Sequence, residues 1–174
     1  MTWPVVVHSD SPDRTRAVAG GLASLCHAGD VLLLVGDLGA GKTVFAQGFA
    51  AALGVAGPVT SPTFTLVRQY RCGAGAPVAT LLHADVYRTG SLPEMLDLAL
   101  GELVEEDGVA LIEWGEMAAP IMGADTLTVS LAVPDDPADA ATARTISILG
   151  RGSWSSREVE VAGVLGPGRR RVGA

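Results

Sequence analysis

Apolar residues crowd Trp3 to His8, return at helical spacing at Val18, Leu22, Leu25 and Cys26, and fill every position from Val31 to Val35. The first run is β-branched and predicts a strand. Ser11-Pro12-Asp13 follows it with a helix cap, a proline suited to the first helical position and an acid in the first turn. The periodic stretch therefore predicts a helix to Ala28, stopped by Gly29-Asp30. An apolar pentad such as Val31-Leu32-Leu33-Leu34-Val35 has no polar face, the pattern of a strand covered on both sides in a parallel sheet. Val44, Phe45, Phe49, Ala52 and Leu53 restore the helical period over 43–53, with Gly54 placed as a C-terminal cap. After a loop from Pro58 to Pro62, strands are expected over Phe64–Cys72 and Val78–Ala84, the second leading into Asp85. Ser91 and Glu94 have the spacing of a capping box, so a helix is expected from there toward Leu103. Val109 to Ile112 reads as another buried strand, ending in Glu113. Thr126–Val133 and Ala143–Leu149 alternate as two antiparallel strands joined by the loop from Pro134 to Ala141.

A length of 174 residues predicts one domain. Residues 1–152 hold all the periodic segments. From 153 to 174 the chain turns to glycine, serine and the run Arg169-Arg170-Arg171, and a weakly ordered tail is expected there. With 48% hydrophobic and 18% charged residues, the domain has enough apolar surface to fold. A net charge of −7 speaks against a surface built to neutralise nucleic-acid phosphates or anionic lipid. The apolar pentad is far short of the ~20 residues of a membrane helix, so no membrane association is expected. Cys26 and Cys72 are widely separated, and His8, His27 and His83 stand alone, so zinc-ligand spacing is absent and the histidines read as surface or structural groups. No leader-like pattern precedes the first polar stretch, and a reducing cytoplasm is the expected compartment.

Chemistry enters at Gly36-Asp37-Leu38-Gly39-Ala40-Gly41-Lys42-Thr43, a full match to G-x-x-x-x-G-K-[ST] between a buried strand and an amphipathic helix. Glycines let the backbone curl until successive N–H groups point inward, and the helix start adds its positive dipole end. Asp37 to Thr43 are therefore the expected binding segment for a nucleoside triphosphate. Lys42 would reach the β- and γ-phosphates, and the Thr43 hydroxyl would ligate Mg2+. The chain holds eleven arginines and one lysine, and that lysine is Lys42. A guanine-reading Asn-Lys-x-Asp is thereby excluded, which favours ATP. Asp85 and Glu113 each end an apolar strand, at the sheet edge where open α/β folds bind ligands, and either could hold the metal directly or through water. Ser61-Pro62-Thr63-Phe64-Thr65 carries hydroxyls able to sense the γ-phosphate and metal, as switch segments do. Trp114 is either core or a reporter of nucleotide state. These features predict an α/β, three-layer P-loop NTPase with a mixed, mostly parallel sheet flanked by helices.

Four landmarks in order resemble the TsaE (YjeE) family of small ATPases. They are Gly36 to Thr43, Ser61-Pro62-Thr63-Phe64-Thr65-Leu66-Val67, His83-Ala84-Asp85-Val86-Tyr87-Arg88 and Ile112-Glu113-Trp114. The resemblance covers roughly residues 4–150. It implies an ATP-hydrolysing partner of the TsaB–TsaD complex, which transfers a threonylcarbamoyl group to N6 of adenosine 37 in tRNAs that read ANN codons. Hydrolysis would reset that complex between turnovers, and tRNA would be met only indirectly. Carried over by position, Thr43 and Glu113 look like metal ligands and Asp85 like the acid acting on water or metal. Ser61, Pro62, Thr63 and Thr65 look like a switch, and Trp114 is grouped with them. Arg151, after the last domain strand, is a candidate contact to adenine or ribose. Two other readings share the loop: a P-loop small-molecule kinase, disfavoured by the lack of an arginine cluster between Arg88 and Arg144, and a non-catalytic nucleotide-dependent scaffold.

Overall fold

The computed structural model describes residues 3–62, 67–87, 107–135, 141–165 and 169–171. In chain order the elements are β1 (Val5–Ser9), α1 (Pro12–Ala23), β2 (Val31–Val35), α2 (Lys42–Ala52), β3 (Val67–Arg71), β4 (Thr80–Asp85) and β5 (Gly108–Glu113). There follow α3 (Gly115–Met122), β6 (Leu127–Ala132), β7 (Arg144–Gly150), a 3-10 turn (Gly152–Arg157), α4 (Glu158–Val164) and β8 (Arg169–Arg171). The strands form one eight-stranded sheet in the order β3-β4-β5-β2-β6-β7-β1-β8. Its centre, β4-β5-β2-β6, is parallel, and antiparallel pairings lie outside it. Five of the eight strands run in one direction.

The unbroken apolar strands have the two-sided cover their pattern predicts. Leu32 and Leu34 of β2 pack with Leu81, Val109, Leu111 and the helices α1 and α2, while Val31 and Leu33 pack on the other face with Leu82, Ala110, Ile112 and Ala118 of α3. That alternation within single strands makes three layers, in a mixed α/β fold with a mostly parallel central sheet flanked by helices. On the first face α1 and α2 cross so closely that a Cβ at Gly48 would overlap the Arg16 backbone.

Several boundaries differ from expectation for local reasons. Ser11 caps α1 as predicted, its hydroxyl accepting from the Arg14 N–H at 3.2 Å. The helix nevertheless ends at Ala23 rather than Ala28, because the Leu25 carbonyl accepts from Arg157 and the His27 N–H donates to Asp30 at 2.7 Å. Helix α3 had no clear signal in a segment containing Pro120. Residues 153–165, expected to be weakly ordered, belong to the 3-10 turn that begins at Gly152 and to α4 with its C-cap Leu165. Trp154, Val161 and Leu165 are buried in the main core, and Arg157 bonds Asp30 at 3.0 Å while stacking on Trp154. Their burial is what orders a segment that composition alone makes look loose. Arg169 to Arg171 pair antiparallel with β1. Phe64 to Leu66 of the expected third strand, Arg88 and the expected helix from Ser91 toward Leu103 lie outside the described residues. Among the described residues no helix is long and apolar enough to cross a membrane.

The α1–α2 crossing yields a stability test. Gly48→Ala gains about 1 kcal/mol of helix propensity but must push a backbone aside. The overlap should win, for a net loss of about 1–3 kcal/mol, read as a lower urea midpoint at unchanged slope.

Candidate functional site

Parallel pairing carries the ends of β2, β4 and β5 to one edge of the sheet. Leu34 is opposite Glu113, and Glu113 is opposite Asp85, so the strand after which the glycine loop begins adjoins the strand of Glu113, with that of Asp85 next beyond it. There a cavity of about 550 Å³ is lined by Leu38, Gly39, Gly41, Lys42, Thr43, Val44, Ser61, Asp85, Tyr87, Glu113 and Trp114. Asp37 and Ala40 belong to the same loop without lining the cavity. Asp37 is exposed and Ala40 is buried, and the Ala40 N–H closes a turn on the Asp37 carbonyl at 3.1 Å. Gly36 has φ of 148°, and a Cβ there would overlap the Leu131 carbonyl, so the loop leaves β2 by a path that only glycine permits.

Lys42 is buried at the first position of α2. Its ammonium donates to the carbonyls of Gly36 at 2.6 Å and Asp37 at 3.0 Å, and stands 3.8 Å above the centre of the Trp114 ring. Burial pushes its pKa below the ordinary 10.5, and the charges of Glu113, Glu116, Asp85 and Asp37 oppose that shift. Trp114 in turn packs on Tyr87, ring centres 4.5 Å apart, and holds a left-handed backbone with φ of 61°.

The two acids are held differently. Asp85 Oδ2 accepts from the Ser61 hydroxyl at 2.8 Å, and Oδ1 accepts from the Tyr87 N–H at 3.1 Å. Glu113 is buried, with Oε1 2.9 Å from Nε2 of the fully buried His83. Pro62 is buried next to Ser61, while Thr63 and Thr65 lie outside the described residues. Thr43, Asp85 and Glu113 offer only oxygen donors, and among the described residues no group of three or more His, Cys, Asp or Glu could hold a metal by itself. That donor set suits Mg2+, which keeps several waters and takes other oxygens from phosphate, better than a metal caged entirely by protein.

Arg151 is not part of this arrangement. It follows Gly150, which pairs with Leu127 at the start of β6, and its N–H donates to Thr126 at 3.0 Å. Because β6 runs parallel to β2, Arg151 lies at the sheet edge opposite the glycine loop, the wrong end for a contact to adenine or ribose at this cavity. Arg144, at the other end of the same strand, is the arginine that reaches the loop. Its guanidinium donates through Nε to the Ala40 carbonyl at 2.8 Å and through Nη2 to the Gly39 carbonyl at 3.0 Å. Because β7 is antiparallel to β6 and β6 is parallel to β2, the first residue of β7 sits at the loop's edge, a placement that depends on strand direction and not on local pattern. Tyr87 and His83 carried no such signal.

The Arg144 fork ties down the carbonyls of Gly39 and Ala40. Arg144→Met should cost about 1–3 kcal/mol in stability through its lost charged hydrogen bonds and should speed amide exchange across residues 39–43. Arg144→Lys should recover little, since one ammonium cannot reproduce the planar fork. Hydrogen exchange followed by mass spectrometry would check both.

Comparison with known proteins agrees with this geometry. The family model described as "Threonylcarbamoyl adenosine biosynthesis protein TsaE" matches residues 9–144. A Streptomyces coelicolor protein named tRNA threonylcarbamoyladenosine biosynthesis protein TsaE is 40% identical over 149 residues, covering 84% of this chain and 97% of its own. The Bacillus subtilis protein of the same name is 46% identical over 117 residues, covering 67% of this chain and 68% of its own. Among solved structures, the crystal structure of Bacillus subtilis YdiB superposes with a TM-score of 0.70 at 30% identity, covering 94% of this chain and 95% of that one. With a family match over residues 9–144 and a relative 40% identical across 84% of its length, the chain belongs to the TsaE family.

Proposed function

We propose that this chain is an ATPase of tRNA threonylcarbamoyladenosine biosynthesis, binding MgATP at the Gly36–Thr43 loop and hydrolysing it in support of a TsaB–TsaD complex that modifies N6 of adenosine 37. The observation that carries this reading is the meeting of a complete glycine-lysine-threonine loop with Ser61, Asp85 and Glu113 around one cavity. The names of the relatives supply the pathway. The free thiols of Cys26 and Cys72 and the tRNA pathway fit a cytoplasmic protein.

In this mechanism the ammonium of Lys42, which donates to the carbonyls of Gly36 and Asp37, would pair with the oxygens of the β- and γ-phosphates. Thr43 and Glu113 would hold the metal. Bound there, Mg2+ would neutralise charge on the phosphate oxygens. Asp85, fixed by Ser61 and the Tyr87 N–H, would orient the attacking water, so the Ser61 hydroxyl links the switch segment to the acid. Among the described residues lining the cavity Lys42 is the cation, and the Arg144 guanidinium is engaged with loop carbonyls. A stabiliser of transition-state charge supplied by a partner fits that arrangement, since such groups raise phosphoryl-transfer rates by about 10³- to 10⁵-fold in other nucleotide hydrolases.

Lys42→Ala should abolish MgATP binding with the circular dichroism spectrum unchanged. Asp85→Ala and Glu113→Ala should each lower hydrolysis by about 10²-fold or more while weakening nucleotide binding far less. Phosphate release by the parent chain should be slow alone and rise on addition of TsaB and TsaD. A fast isolated chain, indifferent to both proteins, would overturn the proposal.

A further inference from the structure

We propose that His83 is a positioning residue that holds the Glu113 carboxylate in the orientation in which it receives the metal of MgATP. This rests on the reading of Glu113 as a metal ligand and goes beyond it by naming what sets the ligand's geometry. The two residues sit on adjacent parallel strands, with His83 opposite Leu111 and two residues before Asp85, so all three polar groups share one end of β4-β5. Both side chains are buried, at 0% and 3% exposure, and Nε2 lies 2.9 Å from Oε1. Every neighbour along these strands from Leu81 to Ala84 and from Val109 to Ile112 is apolar and buried.

A purely structural role is an expensive way to fill these positions. Two buried polar groups must give up their water, and apolar side chains of similar volume commonly serve stability as well or better. The His83 Nδ1 atom adds to that cost, being buried without a hydrogen-bond partner. It also limits what the ring can do. Among the described residues no protein group stands beyond Nδ1 to bond the imidazole. It makes a single bond, Nε2–H to Oε1, with a lone pair on Nδ1, so that no N–H is stranded.

That bond does two things for the carboxylate. It occupies one oxygen and fixes the rotamer, so Oε2 is the oxygen that Glu113 has to offer to the metal or to its water. It also keeps Glu113 from closing on Lys42, whose charge it attracts; the lysine bonds the carbonyls of Gly36 and Asp37 instead. Acid and lysine are thus held apart, each available to a different part of one ligand.

Three chains test this: the parent, His83→Met, which keeps the volume without a donor, and His83→Gln, whose amide nitrogen can stand near the position of Nε2. ATP affinity is measured by calorimetry in EDTA and across a Mg2+ titration. His83→Met should raise the Mg2+ concentration for half-maximal gain in affinity by about tenfold or more, with metal-free ATP affinity unchanged. His83→Gln should recover most of the loss, which mere filling of the core would not predict. An unshifted His83→Met midpoint, or a Gln variant no better than Met, overturns the proposal. If His83→Met does not fold, the Nε2–H proton resonance of the parent decides: it should move when Mg2+ is added to the ATP complex, and an unmoved signal overturns the proposal. A parent chain whose ATP affinity ignores Mg2+ would remove the metal reading itself, and this inference with it. A responsive parent with an unshifted His83→Met removes only the inference.

Discussion

Parallel pairing of β4, β5, β2 and β6 constrains everything else in the molecule. Strands buried on both faces can carry little polar chemistry along their length, and because they run the same way, their polar continuations all emerge at one edge. The glycine loop, Asp85 and Glu113 are the first residues past, or the last within, three such strands. Their proximity needs no long-range signal beyond strand register. What register cannot do is hold a loop in shape once it has left the sheet, and that falls to side chains from elsewhere in the chain.

Two arginines share that task in the same chemical way. Arg144 reaches back more than a hundred residues to carbonyls of the glycine loop, and Arg157 reaches the Leu25 carbonyl and the Asp30 carboxylate at the turn entering β2. One steadies the exit from β2, the other its entry. The strand that bears the loop is therefore braced at both ends by guanidinium groups from the last third of the chain. Compared with lysine, a planar fork satisfies several acceptors at once, which suits a composition that reserves its single lysine for the cavity.

How legible each feature was depended on whether its cause was local. Val31–Val35, the Ser11 cap and the alternating β6 and β7 state their structure in adjacent residues, and the order of layers followed from them. Asp85 and Glu113 could be named as site residues because a buried strand that ends in an acid is visible without neighbours. Arg151 was misplaced because its role was inferred from its position after a strand, without the direction of that strand. Trp154 and Arg157 were invisible for a related reason: a tryptophan among serines and glycines declares itself core only when the groove that receives it is known. His83 read as an isolated histidine, since its partner stands thirty residues away and only the β4–β5 register brings them together.

Trp114 carries a consequence for anyone who would redesign this protein. A left-handed backbone at a bulky residue costs roughly 1–2 kcal/mol, which glycine or asparagine at the same place would largely avoid. The ring that bears that cost also packs against the smaller core cluster, so glycine or asparagine at 114 would exchange backbone strain for lost apolar contact. The same exchange removes the aromatic face beneath the Lys42 ammonium and the ring that Tyr87 packs against. Backbone geometry and side-chain contact accordingly pull this one codon in opposite directions, and a redesign that scored φ alone would discard the tryptophan.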